Sequence, residues 1–267
     1  MSYRLEMKRR IGRLTRHLAS PQPRRLILLY HSVGASGWAI QPQAFRRQME
    51  YLARSAQMAP LDTLVDSATA APLQVAITFD DGYATLHDTV RPIVRDLGIR
   101  PAVFLNTGWI SDRERRPSRP DLGHYEGEAF MNWGDVKALA GDGWTIGSHG
   151  VDHLDLTRLP DERVMAELEQ SKGTIRHRLG VWCDTFAYTW GRHSPHLRVL
   201  ARLAGYRTAL ATRHAPLSGR DDPLQLPRMD IRADYSFEDF VAVVSGDWDY
   251  IGWIQGTRAL AGAMARR

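Results

Sequence analysis

With a single cysteine, Cys183, this 267-residue sequence cannot form an internal disulfide. A secreted disulfide scaffold and a multi-cysteine zinc ribbon are excluded on that ground. Long apolar runs are also missing. Nowhere do about 18 uninterrupted apolar residues occur, as a bilayer-spanning helix needs, and no apolar run of signal-peptide length follows the basic residues near the N-terminus. The chain is therefore expected to stay on the side of the membrane where it is made, in the cytoplasm. What is present is ordinary globular composition, 43% hydrophobic and 24% charged. That suffices to bury one sizeable core, and a barrel or layered α/β domain of this length needs no second domain.

A basic field over the whole protein is lacking too. Residues 1–25 hold eight cations against Glu6 alone, a balance of +7, which leaves −2 for the rest of a chain whose net charge is +5. A nucleic-acid-binding body is not expected, since the basicity belongs to an arm and no recognised nucleic-acid motif accompanies it. We divide the chain into a basic amphipathic arm, residues 1–24, and a catalytic domain, residues 25–267. In the arm, Met7, Ile11, Leu14 and Leu18 are spaced i, i+4, i+7, i+11, an apolar stripe on a helix whose other faces are cationic. Two readings stand: the stripe packs on the domain, or residues 1–20 lie in an anionic membrane interface at its inner face.

Past the arm, short apolar runs alternate with segments of helical period. Strands are expected at residues 26–30, 75–79, 102–106, 144–147, 185–188, 207–211 and 224–231. Helices are expected after Pro42 and at 84–97, 132–141, 161–179, 195–204 and 237–245. Such alternation implies a mostly parallel sheet, and at this length a closed or distorted (β/α) barrel, whose chemistry sits where strands end. The one long polar insertion, residues 111–128, is expected to form a loop over that face.

Three expected strand ends finish in reactive side chains: Tyr30-His31, Thr78-Phe79-Asp80-Asp81-Gly82, and Ser148-His149-Gly150-Val151-Asp152-His153. Paired carboxylates with two imidazoles four residues apart suit a divalent metal with open coordination positions. Adjacent ionised carboxylates repel, so the pair is easiest to understand if one is neutralised by the metal and the other stays free as a base.

These motifs, in this order and about 68 residues apart, resemble the first two motifs of the polysaccharide deacetylase family, which includes nodulation-type chitooligosaccharide deacetylases. Residues 28–33, 186–191 and 226–230 resemble further segments of its bacterial cell-surface branch. The resemblance spans about residues 26–245 and implies a distorted (β/α) barrel that hydrolyses an N-acetyl group from an amino sugar with the help of a metal. By position, Asp80 would be the general base, and Asp81, His149 and His153 would hold zinc or a similar divalent ion. The backbone N–H of Trp190 would donate to the developing oxyanion.

Two departures from the family pattern matter. Where many members carry an arginine in the third motif, this chain has Ala187-Tyr188-Thr189-Trp190. Arg228, at a later strand end, is the candidate to replace it, with Asp230 as the candidate to hold it. A leucine-x-histidine motif near the C-terminus, which supplies the general acid in many relatives, is also missing, and His31 is the candidate for that role. His124, His193 and His214 have no spacing argument. Cys183 is expected to be a buried small residue, and Trp248, Tyr250, Ile251, Trp253 and Ile254 to pack in the core or between helices, the alternative being an aromatic edge for sugar stacking or for a membrane interface.

The expected activity is thus removal of an acetyl group from an amino sugar, on a soluble or lipid-linked saccharide, in surface polysaccharide or glycolipid synthesis. Hydrolysis of a non-sugar amide on the same scaffold, and a catalytically silent carbohydrate-binding protein, are the alternatives.

Overall fold

The computed structural model describes residues 3–15, 23–66 and 71–264, of which 3–4 and 258–264 by backbone alone. Its strands are β1 (Arg24–Tyr30), β2 (Gln57–Met58), β3 (Leu73–Phe79), β4 (Ala102–Leu105), β5 (Thr145–Ser148), β6 (Thr185–Ala187), β7 (Thr208–Leu210) and β8 (Met229–Asp230). All pair in parallel in the order β7-β6-β5-β4-β3-β1-β8, and β2 pairs with the start of β3. The two ends of this sheet meet through one segment. Leu226 accepts from the Ala211 N–H and donates to the Ala209 carbonyl beside β7, and Ile231 donates to Leu29 in β1. The sheet therefore curls into the distorted (β/α) barrel expected from the alternation. The continuous strand expected at 224–231 is instead a single 3-10 turn, Pro223–Gln225, followed by the two-residue β8. Pro223 and Pro227 have no N–H to give to a ladder, which explains the interruption.

Period-two alternation along the strands decides what fills the lumen. Ile27, Ala76, Ala102, Phe104, Ala187 and Leu210 form one buried cluster, and Leu26, Leu28, Tyr30, Val75, Ile77, Phe79 and Val103 belong to the larger cluster under the helices. Small residues dominate the lumen, and the Phe104 ring occupies the space they leave. Gly147 in β5 is part of that arrangement: a Cβ there would lie 2.5 Å from the Phe104 ring. The same alternation continued past the strand ends puts His31, Asp80 and His149 on the lumen side of the C-terminal mouth.

The helices are α1 (Tyr3–Thr15), α2 (Pro42–Ser55), α3 (Leu61–Asp66), α4 (Arg91–Asp96), α5 (Trp133–Gly141), α6 (Asp161–Leu179), α7 (Pro195–Leu203), α8 (Phe237–Ser245) and α9 (Tyr250–Met264). Starts are set by polar caps: Asn132 with Asp135 and Ser236 with Asp239 form reciprocal capping boxes, and Ser194 caps α7 ahead of Pro195. The helix expected at 84–97 is split into a π turn, Leu86–Val90, and the short α4. Pro92 cannot close an α-helical hydrogen bond, so the register shifts there. No helix among the described residues is long and apolar enough to cross a membrane.

The arm is helical as its spacing predicts, and it docks on the C-terminal elements. Leu5 is buried and Ile11 packs against the core. Arg9 forms a two-bond ion pair with Asp239, Lys8 donates to Tyr235, and Tyr250 donates to the Lys8 carbonyl. Gly12 is needed for this approach, because a Cβ would meet Trp248 at 2.7 Å. Of the stripe, Met7 and Leu14 remain 43% and 74% exposed, and Leu18 lies outside the described residues. Cys183 is buried, as expected, and burial pushes its thiol up to about 12. Trp248 and Tyr250 are core residues, whereas Trp253 and Ile254 are exposed.

Overpacking of the lumen gives a direct test of the barrel. Gly147→Ala is expected to lower unfolding free energy by about 1–3 kcal/mol, read as a fall in thermal midpoint. Combining it with Phe104→Leu should recover part of the loss. Additive losses in the double variant would show that the two residues do not share the space.

Candidate active site

Three loops at the C-terminal mouth bring the reactive side chains together, and each bends the backbone in the same unusual way. Asp81 (φ 70°), His153 (φ 57°) and Trp190 (φ 54°) are the non-glycine residues with positive φ among those described. Left-handed conformations of this kind cost on the order of 1–3 kcal/mol each and persist only where surrounding contacts impose them. All three sit in this cluster.

Asp81, His149 and His153 are buried, and one donor atom from each lies within 4.8 Å of the others. The Asp81 Oδ1 is 3.4 Å from His153 Nε2 and 3.7 Å from His149 Nε2. Each imidazole has its other nitrogen engaged: His149 Nδ1 donates to the Ala187 carbonyl at 2.7 Å, and His153 Nδ1 to the Leu122 carbonyl at 3.1 Å. Backbone carbonyls only accept, so each Nδ1 carries its hydrogen, and in the neutral ring Nε2, on the carboxylate side, is the nitrogen left with a lone pair. Two such nitrogens and a carboxylate oxygen, each braced from behind, fit a divalent ion whose bonds run about 2.0–2.2 Å. Asn106, at the end of β4, donates to Asp81 Oδ1 at 3.1 Å. Burial raises the Asp81 pKa, but the neighbouring histidines, His153 first, outweigh it and hold the group at about 2. Burial likewise keeps His149 below the ordinary imidazole value, against the pull of Asp80 and Asp81.

Asp80 has a different partner. Arg228, fully buried, donates to both its oxygens at 2.6 and 2.7 Å and to the Ala211 carbonyl through Nε. Burial pushes the Asp80 carboxyl up, and the Arg228 charge and hydrogen bonds together with His149 more than reverse this, so it lies below its ordinary value. Arg228, the candidate named from the sequence, is thus the arginine that pairs with Asp80. The expected partnership with Asp230 is not formed: Asp230 faces a separate cavity, and Arg228 is held by Asp80 and a backbone carbonyl. Arg228 precedes the two-residue β8 and turns to Asp80, whereas Asp230 lies on the strand, which is why sequence spacing misassigned the pair.

His31 borders the mouth against the Tyr125 ring, 5.2 Å between centroids. Trp190 is 45% exposed and sits over His153 at 4.7 Å. The insertion covers this face as expected and also supplies parts the sequence reading missed. Leu122 gives the carbonyl for His153, and His124 is buried with its ring 5.0 Å from that of His153. Burial and the nearby His153 hold His124 down to about 4, so it is neutral near pH 7. His193 and His214 lie elsewhere, His193 against Tyr188 and His214 beside α9.

Glu167 on α6 was also missed. Its Oε2 accepts the N–H groups of Val151 and Asp152 at 2.7 and 3.0 Å, and its Oε1 is 2.9 Å from Arg163. A buried carboxylate therefore clamps the loop joining the two histidines. No motif announced it, since one glutamate in a long amphipathic helix has no distinguishing period. Asn106 did have a signal, a polar residue at a strand end like Asp80 and His149.

Comparison with known proteins follows the same lines. The polysaccharide deacetylase family model matches residues 68–209, more than half the chain. YxkH of Bacillus subtilis (strain 168), which carries a provisional polysaccharide deacetylase name, is 22% identical over 234 residues, covering 85% of this chain and 78% of its own. Among solved structures, the Streptococcus pyogenes deacetylase PplD, in complex with acetate, superposes with TM-score 0.72 at 19% identity, over 84% of this chain and 99% of that one. IcaB from Ammonifex degensii gives 0.70 at 20%, over 85% and 98%. At these identities the superpositions establish a shared fold.

The Glu167 clamp predicts an effect on metal binding without direct contact. Glu167→Ala should weaken affinity for zinc about 10- to 100-fold, the usual cost of losing a bracing group, and Glu167→Gln, which keeps an acceptor for both N–H groups, should lose less. Competition titration against a chromophoric chelator measures both. Wild-type affinity in a folded Glu167→Ala protein would remove the clamp from the site.

Proposed function

Because the chain belongs to the polysaccharide deacetylase family, we propose that it hydrolyses the acetamide of an N-acetylated amino sugar, with zinc or a similar divalent ion held by Asp81, His149 and His153. The observation that carries this reading is the division between the two adjacent aspartates. One faces the Nε2 atoms of two imidazoles, and the other is ionised and aimed by a buried arginine. A bound ion would supply a water of lowered pKa and polarise the acetamide carbonyl. Asp80, kept ionised by Arg228, accepts the proton of the attacking water as general base. The Trp190 N–H donates to the oxygen that becomes negative as the carbonyl is attacked. His31, at the rim of the same mouth, delivers a proton to the departing nitrogen, so that the C–N bond breaks to give acetate and a free amine. A silent binding protein has no use for a buried Asp–Arg pair beside such a donor set, because replacing buried ion pairs with apolar residues is often neutral or stabilising.

Acetate release from N-acetylated oligosaccharides, with and without chelator, tests the activity. Asp80→Asn is expected to retain metal and lose about 10²–10⁴ in kcat, the usual contribution of a general base, while Asp81→Ala, His149→Ala and His153→Ala lose the metal itself. Metal loss in Asp80→Asn, or near-normal turnover, would overturn the base assignment.

We also propose that α1 contributes to association with anionic membrane, in a reduced form. Lys8 and Arg9 are engaged with the domain, which leaves Met7 and Leu14 facing outward with Arg13 and with Arg10, the latter paired to Glu6 at 2.8 Å. Full-length protein is expected to sediment with anionic vesicles at low salt and to release at high salt, and Met7→Glu/Leu14→Glu to abolish sedimentation. Unchanged sedimentation in that variant would leave packing as the helix's whole role.

A further inference from the structure

Beside the mouth lies a cavity of about 330 Å³ that shares only His31 with the catalytic steps above. It falls at the lower end of the range for ligand pockets, roughly 300–1,000 Å³. His31 stands on its border with the catalytic centre, so a molecule reacting at Asp80 extends into it if it is larger than one unit. One wall is Trp38, 62% exposed and backed by Tyr125 with rings 6.0 Å apart and 24° from parallel. Unlike the more exposed Trp182, this indole lines a cavity and is backed there by a second ring, an arrangement suited to stacking on a ligand.

The polar groups are equally specific. Arg232 and Asp234 pair with each other at 3.0 Å. Asp230 makes no hydrogen bond or close ion pair among the described residues, although Lys8 and Arg232 feel its charge. It is fixed on β8 opposite Leu29 of β1, two residues before His31. The cavity thus offers a rigid aromatic face and an acceptor carboxylate not already used.

Resting on the reading that the chain deacetylates a sugar, we propose that this cavity is a subsite for the neighbouring hexopyranose, with Trp38 stacking on the apolar C–H face of the ring and Asp230 accepting from its hydroxyls. The substrate is then at least a disaccharide. Because a carboxylate bears on the bound unit, that unit is uncharged: a uronic acid or a phosphate there would place like charges together with poor solvation. A carrier diphosphate, if the substrate has one, lies on the other side of the scissile acetamide.

The test uses three probes on the intact protein: N-acetylglucosamine, its neutral β-1,4 dimer, and a disaccharide whose second unit is glucuronic acid. Calorimetric affinity and acetate release are both recorded. The neutral dimer is expected to bind about tenfold more tightly than either of the others. Trp38→Ala, at an exposed position where folding is not at stake, should erase the dimer's advantage, and Asp230→Asn should bring the acidic disaccharide toward the neutral one. Equal binding of all three, or variants that preserve the wild-type ranking, would overturn the subsite. The expected ranking with no acetate released from any probe would leave the subsite standing and remove the deacetylase reading instead.

Discussion

The ion pair between Asp80 and Arg228 links the fold to its chemistry. Both groups are buried, they are 148 residues apart in sequence, and they meet through two short hydrogen bonds. Taking two charges out of water is costly and is offset only by near-ideal geometry, whereas removing one partner from such a pair typically costs about 3–5 kcal/mol. Arg228 belongs to the segment that joins the two sheet ends, and its Nε is tied to Ala211 just past β7. Closure of the barrel and preparation of an ionised carboxylate are consequently one event. A chain that failed to close at β8 would leave Asp80 without its arginine.

Most of the frame was legible in the sequence because periodicity reports burial, and burial on two faces of a parallel sheet is what the strands provide. The runs at residues 26–30 and 75–79 match β1 and β3 with little adjustment. Two kinds of feature were not legible. Proline interrupts elements that the apolar pattern alone would continue, as at Pro92 and at Pro223 and Pro227. Partners chosen by the three-dimensional path also escape spacing arguments. The sequence offered Asp230 as the residue holding Arg228, but the closing segment aims Arg228 into the lumen and leaves Asp230 at the rim.

The same distinction applies within the site. Asp81, His149 and His153 announced themselves through residue type and interval, since a set able to hold a metal is constrained in both. Glu167 and the Leu122 carbonyl did not, because a clamp needs only an acceptor in the right place and the backbone can supply one from any residue. Motifs therefore expose the groups that touch the reacting centre, while the groups that impose positive φ on His153 are found only in the structure.

That difference bears on the insertion at residues 111–128, which looks like a mere cover over the mouth. Its Leu122 carbonyl accepts from His153 Nδ1, and that bond decides which imidazole nitrogen keeps a lone pair for the centre. The approach depends on Gly123, whose φ of 84° suits glycine and where a Cβ would stand 2.9 Å from the Trp190 ring. Tyr125, two residues on, donates its N–H to Tyr83 beside Asp81 and stacks on Trp38 at the cavity. One loop thus fixes the His153 ring at one end and shapes the neighbouring cavity at the other. Changes that reshape the cavity through this loop therefore reach the Asp81, His149 and His153 cluster as well, because Leu122 and Tyr125 belong to one short segment.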